Sequence, residues 1–160
     1  IAENEAVVTK GTAIYLTRTL HGVPQVFLHN FEHNHVLHEK IIVLTIVTKD
    51  EPYIDYENRI KVRSFGQNHN FHRIKFYYGF QQTPDVRQDL KLCEQEGIFL
   101  DFEKTSFFIG TEQISFKPKN PLPVWRRNLF LFLVNNASSA IEFFQIPVDR
   151  VIELGIRINL

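Results

Sequence analysis

What the chain lacks narrows its function before any motif is considered. Among its 160 residues there is one cysteine, Cys93, and no methionine. A lone thiol makes no internal disulfide, so the count fits a reducing compartment and disfavours a secreted scaffold. The missing methionine, even at position 1, leads us to expect a piece of a longer polypeptide whose full activity lies partly outside these residues. Excess charge is absent too. Lys plus Arg and Asp plus Glu both total 18, which leaves no global footprint for a nucleic-acid backbone or an anionic membrane, though a local basic patch is compatible with the balance. We therefore expect no nucleic-acid partner. No run approaches the length of a membrane helix, and the opening IAENEAVV has no signal-peptide core, so the piece is expected to be soluble. GxGxxG and GxxxxGK[ST] do not occur, and Gly11-Thr12 precedes a strand instead of following one. A classical dinucleotide or nucleoside triphosphate loop is excluded, whereas a motif-free ligand site at the ends of parallel strands is not. There is no internal repeat and no low-complexity segment.

What is present reads as one globular domain, since 44% of the residues are hydrophobic and 13% aromatic. Residues 1–10 are polar and aperiodic, and are expected to form a disordered linker into a domain spanning 11–160. Thr12 to Thr17 reads as a strand, Gly22 and Pro24 mark a turn, and a helix is expected from Pro24 to Leu37, with Val23, Phe27, Leu28 and Phe31 as its apolar stripe. Ile41 to Val47, IIVLTIV, is apolar on both faces, the pattern of a central strand covered on both sides. A right-handed crossover makes it parallel to the first strand, completing a βαβ unit. Arg59 to Phe65 and the alternation Ile74, Phe76, Tyr78, Phe80 predict an antiparallel hairpin around Gly66 to Asn70. The next helix should run from Pro84 to Glu96, with Thr83 as N-cap, Val86, Leu90 and Cys93 inward, and Gly97 as its stop. Thr105 to Gly110 predicts a strand that Glu112 to Phe116 either extends or pairs back on. KPKNPLP breaks the chain before a last helix from about Val124, and Val148 to Leu160 closes as a strand. The expected fold is a single α/β domain with a mixed sheet of five or six strands and helices on both faces.

Three features bear on chemistry. His29 and His33 lie one helical turn apart, with His38 and Glu39 beyond the expected helix end, so three imidazoles and a carboxylate are candidates for zinc. The spacing is not HExxH, and no further cluster completes a familiar set. Polar packing by His29, His33, Asn30 and Asn34 is the more economical reading, and no resident metal or cofactor is expected. Cys93 falls on an apolar stripe, where a thiol is an inert small hydrophobe, so no nucleophile is expected there. Leu129 to Val134 is apolar all round. A two-layer contact covers only one side of such a helix, which makes Leu129, Phe130, Phe132 and Leu133 candidate interface residues; a fully buried core helix is the competing reading. Arg126 and Arg127 precede that run and read as solvated charges.

A sequence resemblance bears on the choice. GTAIYLTR, the series Val23-Pro24, His29-Asn30, His33-Asn34 and Leu37-His38-Glu39, and the strand IIVLTIVT resemble, in order, the cytosolic C-terminal domain of the KUP/HAK/KT family of potassium uptake transporters. Tyr78-Gly79-Phe80, Pro84-Asp85-Val86, Thr105-Ser106-Phe107-Phe108 with Glu112, Trp125-Arg126, Asn136-Ala137, Phe143-Phe144, Ile146-Pro147 and the run Arg150 to Gly155 are similar to later motifs of that family. Asn135, Asp149 and Thr111 depart from its usual arginine, asparagine and arginine, so any anion contact carried there is not transferred. The resemblance implies a cytosolic module on the inner side of the cell membrane, joined to its own transmembrane domain, in a homodimeric potassium transporter that is usually proton-coupled. It implies a regulatory and dimerising role without catalysis. In some bacterial relatives such a domain is associated with cyclic di-AMP. A nucleotide-sensing domain binding cyclic di-AMP or another adenine nucleotide is therefore the alternative, with no residues assigned to it. A zinc-dependent enzyme built on the histidine cluster is the weaker alternative.

Overall fold

The run Ile41–Val47 does organise the sheet. In the computed structural model, which describes residues 6–66, 70–115, 146 and 148–159, it lies inside the strand β2 (Val36–Lys49). Residues 41–45 are buried on both faces of that strand. Around it stand β1 (Val7–Leu16), β3 (Ile60–Phe65), β4 (Phe71–Gly79), β5 (Thr105–Ser115) and β6 (Val151–Asn159), in the order β3-β4-β2-β1-β5-β6. All neighbours pair in parallel except the edge hairpin β3–β4, which is antiparallel. This is the mixed α/β sheet expected, with its strand count at the upper value.

Each face has its own core. On one, α1 (Gln25–Asn34) lays Val26 and Phe27 over Ala13, Tyr15, Ile41 and Phe108. On the other, α3 (Val86–Leu92) lays Val86 and Leu90 over Ile14, Ile42, Leu44, Ile74, Phe76 and Phe107, and Cys93 in the following 3-10 turn joins them. A third helix, α2 (Tyr56–Arg59), is a single turn before β3. The larger core is on the α3 face, where β1, β2, β4 and β5 all contribute.

Several boundaries differ from expectation. Val7–Lys10 is not a linker but the start of β1, with Val7, Val8 and Thr9 paired to Val36, Leu37 and His38. Correspondingly, α1 stops at Asn34, because His35 takes a left-handed conformation (φ 51°) and its N–H bonds back to Phe31 O at 3.0 Å, after which the chain is extended. Val23 lies outside the helix and is exposed; Val26 and Asn30, one turn apart, face the sheet instead. The N-cap of α3 is Asp85, whose carboxylate accepts from Gln88 N at 2.9 Å, rather than Thr83. Its α-helical part ends at Leu92, and the expected stop at Gly97 (φ 77°) caps the 3-10 turn that follows. Phe80, expected in a strand, sits exposed in the turn after Gly79. Segment 112–115 extends β5 and pairs in parallel with β6. Val148–Arg150 is a 3-10 turn before β6. The expected last helix, with Leu129, Phe130, Phe132 and Leu133, lies outside the described residues.

Gly11 and Gly79 mark close approaches. Gly11 (φ 105°) sits at the irregularity where β1 shifts register against β2, and a Cβ there would stand 2.5 Å from Lys104 O. At Gly79 a Cβ would meet Pro52 O at 2.2 Å. Gln82 fastens that approach: its Oε1 accepts from Ile54 N and Gly79 N, and its Nε2 donates to Ile54 O.

Candidate functional site

Three polar constellations stand out. The first is the His/Asn face of α1. Asn30 is the buried member, donating from Nδ2 to Tyr15 Oη at 3.0 Å and accepting from Asn34 Nδ2 at 2.8 Å. It ties the helix to β1 through a polar pair inside an apolar layer, and burial pushes the Tyr15 hydroxyl above its ordinary pKa. His29 and His33 stack along the helix with ring centroids 5.8 Å apart. His38 is on another element, β2, edge-on to Phe108 at 6.0 Å, with Nδ1 buried and unpartnered. Burial lowers the pKa of His38, so its neutral form is favoured. Among the described residues no group of three or more His, Cys, Asp or Glu is placed to hold a metal ion. We expect mass spectrometry of the untagged chain to find substoichiometric zinc, unchanged in His29→Ala and His33→Ala; stoichiometric zinc lost in either variant would restore the metal reading.

The second is a buried ionic unit on the α3 face. Asp89, 1% exposed, accepts a hydrogen bond from the Tyr78 hydroxyl and faces Arg59 Nη1 at 3.6 Å. Arg59 also donates to Ile54 O at 3.1 Å, and its guanidinium lies 4.2 Å from the Tyr56 ring centroid. Burial raises the Asp89 carboxyl above its usual range, opposed by the Tyr78 hydrogen bond and the Arg59 charge. The Tyr78 hydroxyl is held well above its ordinary value by burial and then by its Asp89 partner. Arg59, Asp89 and Tyr78 join α2, α3 and β4 and are all buried, which marks the unit as architectural. Cys93, next to it, has its thiol pushed up to about 12 by burial and then by the Asp89 and Glu96 charges. Native protein should therefore resist thiol labelling at pH 8 and react only on unfolding; labelling at the rate of a free peptide thiol would show this packing to be open.

The third is exposed, and residue chemistry alone did not single it out. The hairpin β3–β4 turns Lys61, Arg63 and Phe65 to the same face as Phe71, Arg73, Lys75 and Tyr77, and with Leu20–Val23 they line a groove of about 520 Å³. Strand register sets Lys61 opposite Lys75 and Arg63 opposite Arg73. Directly opposed like charges destabilise an antiparallel pair. Among the described residues, none of these four cations makes an ion pair. Arg73 donates to Leu20 O at 3.1 Å and to Gly22 O, holding the loop against the strand. Lys49 and Lys61 stand over the Tyr77 ring, 5.1 and 5.5 Å from its centroid. The signal available in the sequence was the alternation of basic residues along two adjacent strands.

Fold and surface together define an α/β domain with a largely parallel sheet, a buried ionic unit and a cationic groove. Residues 10–160 match the family model described as the K+ potassium transporter C-terminal domain, and the chain belongs to that family. Among curated proteins it is 40% identical over 151 residues to a probable potassium transport system protein Kup of Azoarcus sp. (strain BH72), covering 94% of this chain and 23% of that protein. A second Kup of Chromobacterium violaceum is also 40% identical, covering 94% of this chain and 24% of its own length. A Kup of Erythrobacter litoralis is 37% identical over 99% of this chain and 25% of its own length. The chain thus spans about a quarter of the length of these relatives. No solved structure matches.

Proposed function

We propose that this domain is the cytosolic regulatory and dimerising module of a potassium uptake transporter, with no catalysis of its own. The family match along residues 10–160, set beside relatives about four times longer and described as probable potassium transport system proteins, supports this reading. Among the described residues no helix is long and apolar enough to cross a membrane, so ion permeation falls to the remainder of such a protein. In this reading the domain sits on the inner face of the cell membrane against its own transmembrane part, and transport is proton-coupled.

The dimer contact is assigned on sequence grounds to Leu129, Phe130, Phe132 and Leu133, whose run is apolar all round. In a homodimer symmetry places the patch on both subunits, so one aspartate introduces two charges at once. Phe130→Asp and Phe132→Asp should differ: the core-facing variant unfolds the domain and the interface-facing variant leaves a folded monomer. Circular dichroism reads folding, and light scattering over a concentration series reads assembly. Two folded variants with unchanged association would remove the contact, and two unfolded variants would make the segment core.

A second reading, a nucleotide sensor, is favoured by one observation, the groove on β3–β4 whose four cations make no ion pair among the described residues. Calorimetric titration of the chain with cyclic di-AMP, cyclic AMP and ATP tests it; saturable heat with any of them supports sensing, and none across the three removes it.

A further inference from the structure

We propose that the β3–β4 groove is the ligand site itself, and that it takes a nucleotide with its phosphates on Arg63, Lys75 and Lys61 and its base against Phe65. This deepens the nucleotide-sensor reading and rests on it. Four cations share one face of two adjacent strands, paired like against like, in a chain with no net charge. Such a pairing works against the hairpin in the free protein and is relieved when an anion enters. Phosphate oxygens accept charge-assisted hydrogen bonds from both guanidinium and ammonium donors.

The rest of the lining argues for a small molecule over a flat anionic surface. The site is a groove of about 520 Å³, within the range of small-ligand pockets, and Leu20–Val23 forms one wall. Three of its lining residues are aromatic: Phe65, Phe71 and Tyr77. All three rings have partners: Tyr77 lies beneath Lys49 and Lys61, Phe71 is edge-on to Phe27, and Phe65 is edge-on to Phe71 with centroids 6.1 Å apart. Phe65 is 46% exposed and offers a ring beside the cations. Phosphate donors next to a partly exposed aromatic ring match the two halves of a nucleotide. Arg73 has a different task. Its bonds to Leu20 O and Gly22 O hold the wall in place, so it is a positioning residue.

The test uses the whole chain and two variants, Arg63→Gln/Lys75→Gln and Phe65→Ala. Neither variant changes the cores, since Arg63 and Phe65 are exposed and Lys75 lies on the groove face. Calorimetry is run with ADP, ATP and cyclic di-AMP, with adenosine and pyrophosphate as half-ligands, and with phosphatidylglycerol vesicles. At least one of the three nucleotides should bind saturably. Its Kd should weaken at least about tenfold in Arg63→Gln/Lys75→Gln, an expected loss of charge-assisted hydrogen bonds. It should also weaken in Phe65→Ala, and both half-ligands should bind more weakly than the nucleotide. In the same double variant the melting temperature without ligand should rise, because the opposed charges are gone. That combination, higher stability with weaker binding, separates a site from a structural role. Nucleotide binding that the double variant leaves unchanged overturns the groove while sparing the sensor reading. No nucleotide binding overturns both. Pyrophosphate binding as tight as the nucleotide overturns the nucleotide assignment, and vesicle binding without nucleotide binding does the same.

Discussion

Replacing Asp89 with alanine should lower the unfolding free energy by about 3–5 kcal/mol, the range for removing one partner of a buried ion pair. The reason is what remains behind. Arg59 would keep a nearly buried guanidinium, whose Nε is already unpartnered, and the Tyr78 hydroxyl would lose its acceptor. Asp89→Asn should be milder, because an amide oxygen still accepts from Tyr78. The pair of variants also carries a pH signature. The folded-state pKa of Asp89 lies above its unfolded value, so the folded protein holds this proton more tightly. The stability linked to that titration is fully present below the unfolded pKa and is lost as pH rises through the folded one. Denaturant titrations between acid and neutral pH should therefore show wild type gaining on Asp89→Asn as pH falls. A difference independent of pH, or one that grows with rising pH, would mean that burial does not dominate the environment of this carboxyl.

Leu90→Ala should cost about 2–5 kcal/mol, as for other fully buried leucines. Leu90 is 0% exposed and belongs to the larger core, among side chains from both helix and sheet. Cys93→Ser should cost less, since it removes little volume and its Sγ already faces Asp89 O at 3.7 Å, where a hydroxyl can donate. Denaturant midpoints at constant slope read both. An unchanged midpoint for Leu90→Ala would place α3 away from the sheet.

How far the sequence revealed the fold is seen best at α1. Treating Val36 and Leu37 as helical and treating Val7 to Lys10 as linker are one mistake, because Val7 and Val8 pair with those two residues and Thr9 continues the pairing to His38. A strand end that gains its partner only through tertiary pairing has no local signature, and a left-handed histidine is a less familiar helix stop than glycine. Where the signal was local it was legible. IIVLTIV became the central strand, and the stripe Val86, Leu90, Cys93 went to the core. The polar sites were harder, for a different reason. Asp89 stands beside Leu90 on a short helix, and nothing in its spacing distinguishes a buried carboxylate from a solvated one. Lys61 and Arg63 read as the outward face of a strand. Their opposition to Lys75 and Arg73 depends on hairpin register, which a loop spanning residues 66–70 does not specify from sequence. The histidines drew attention by type, yet the polar side chain of α1 that bonds to the sheet is Asn30.

Rubidium uptake by a transporter of this family bearing this domain at its C-terminus, in cells that lack their own potassium uptake, tests the proposed regulatory role most directly. Uptake is compared at matched membrane abundance for the intact protein, for one lacking residues 11–160, and for one carrying Arg63→Gln/Lys75→Gln. A regulatory module predicts that rubidium still enters in all three, with the rate or its dependence on external potassium changed by the deletion. Superimposable uptake curves for the intact and deleted proteins would contradict it.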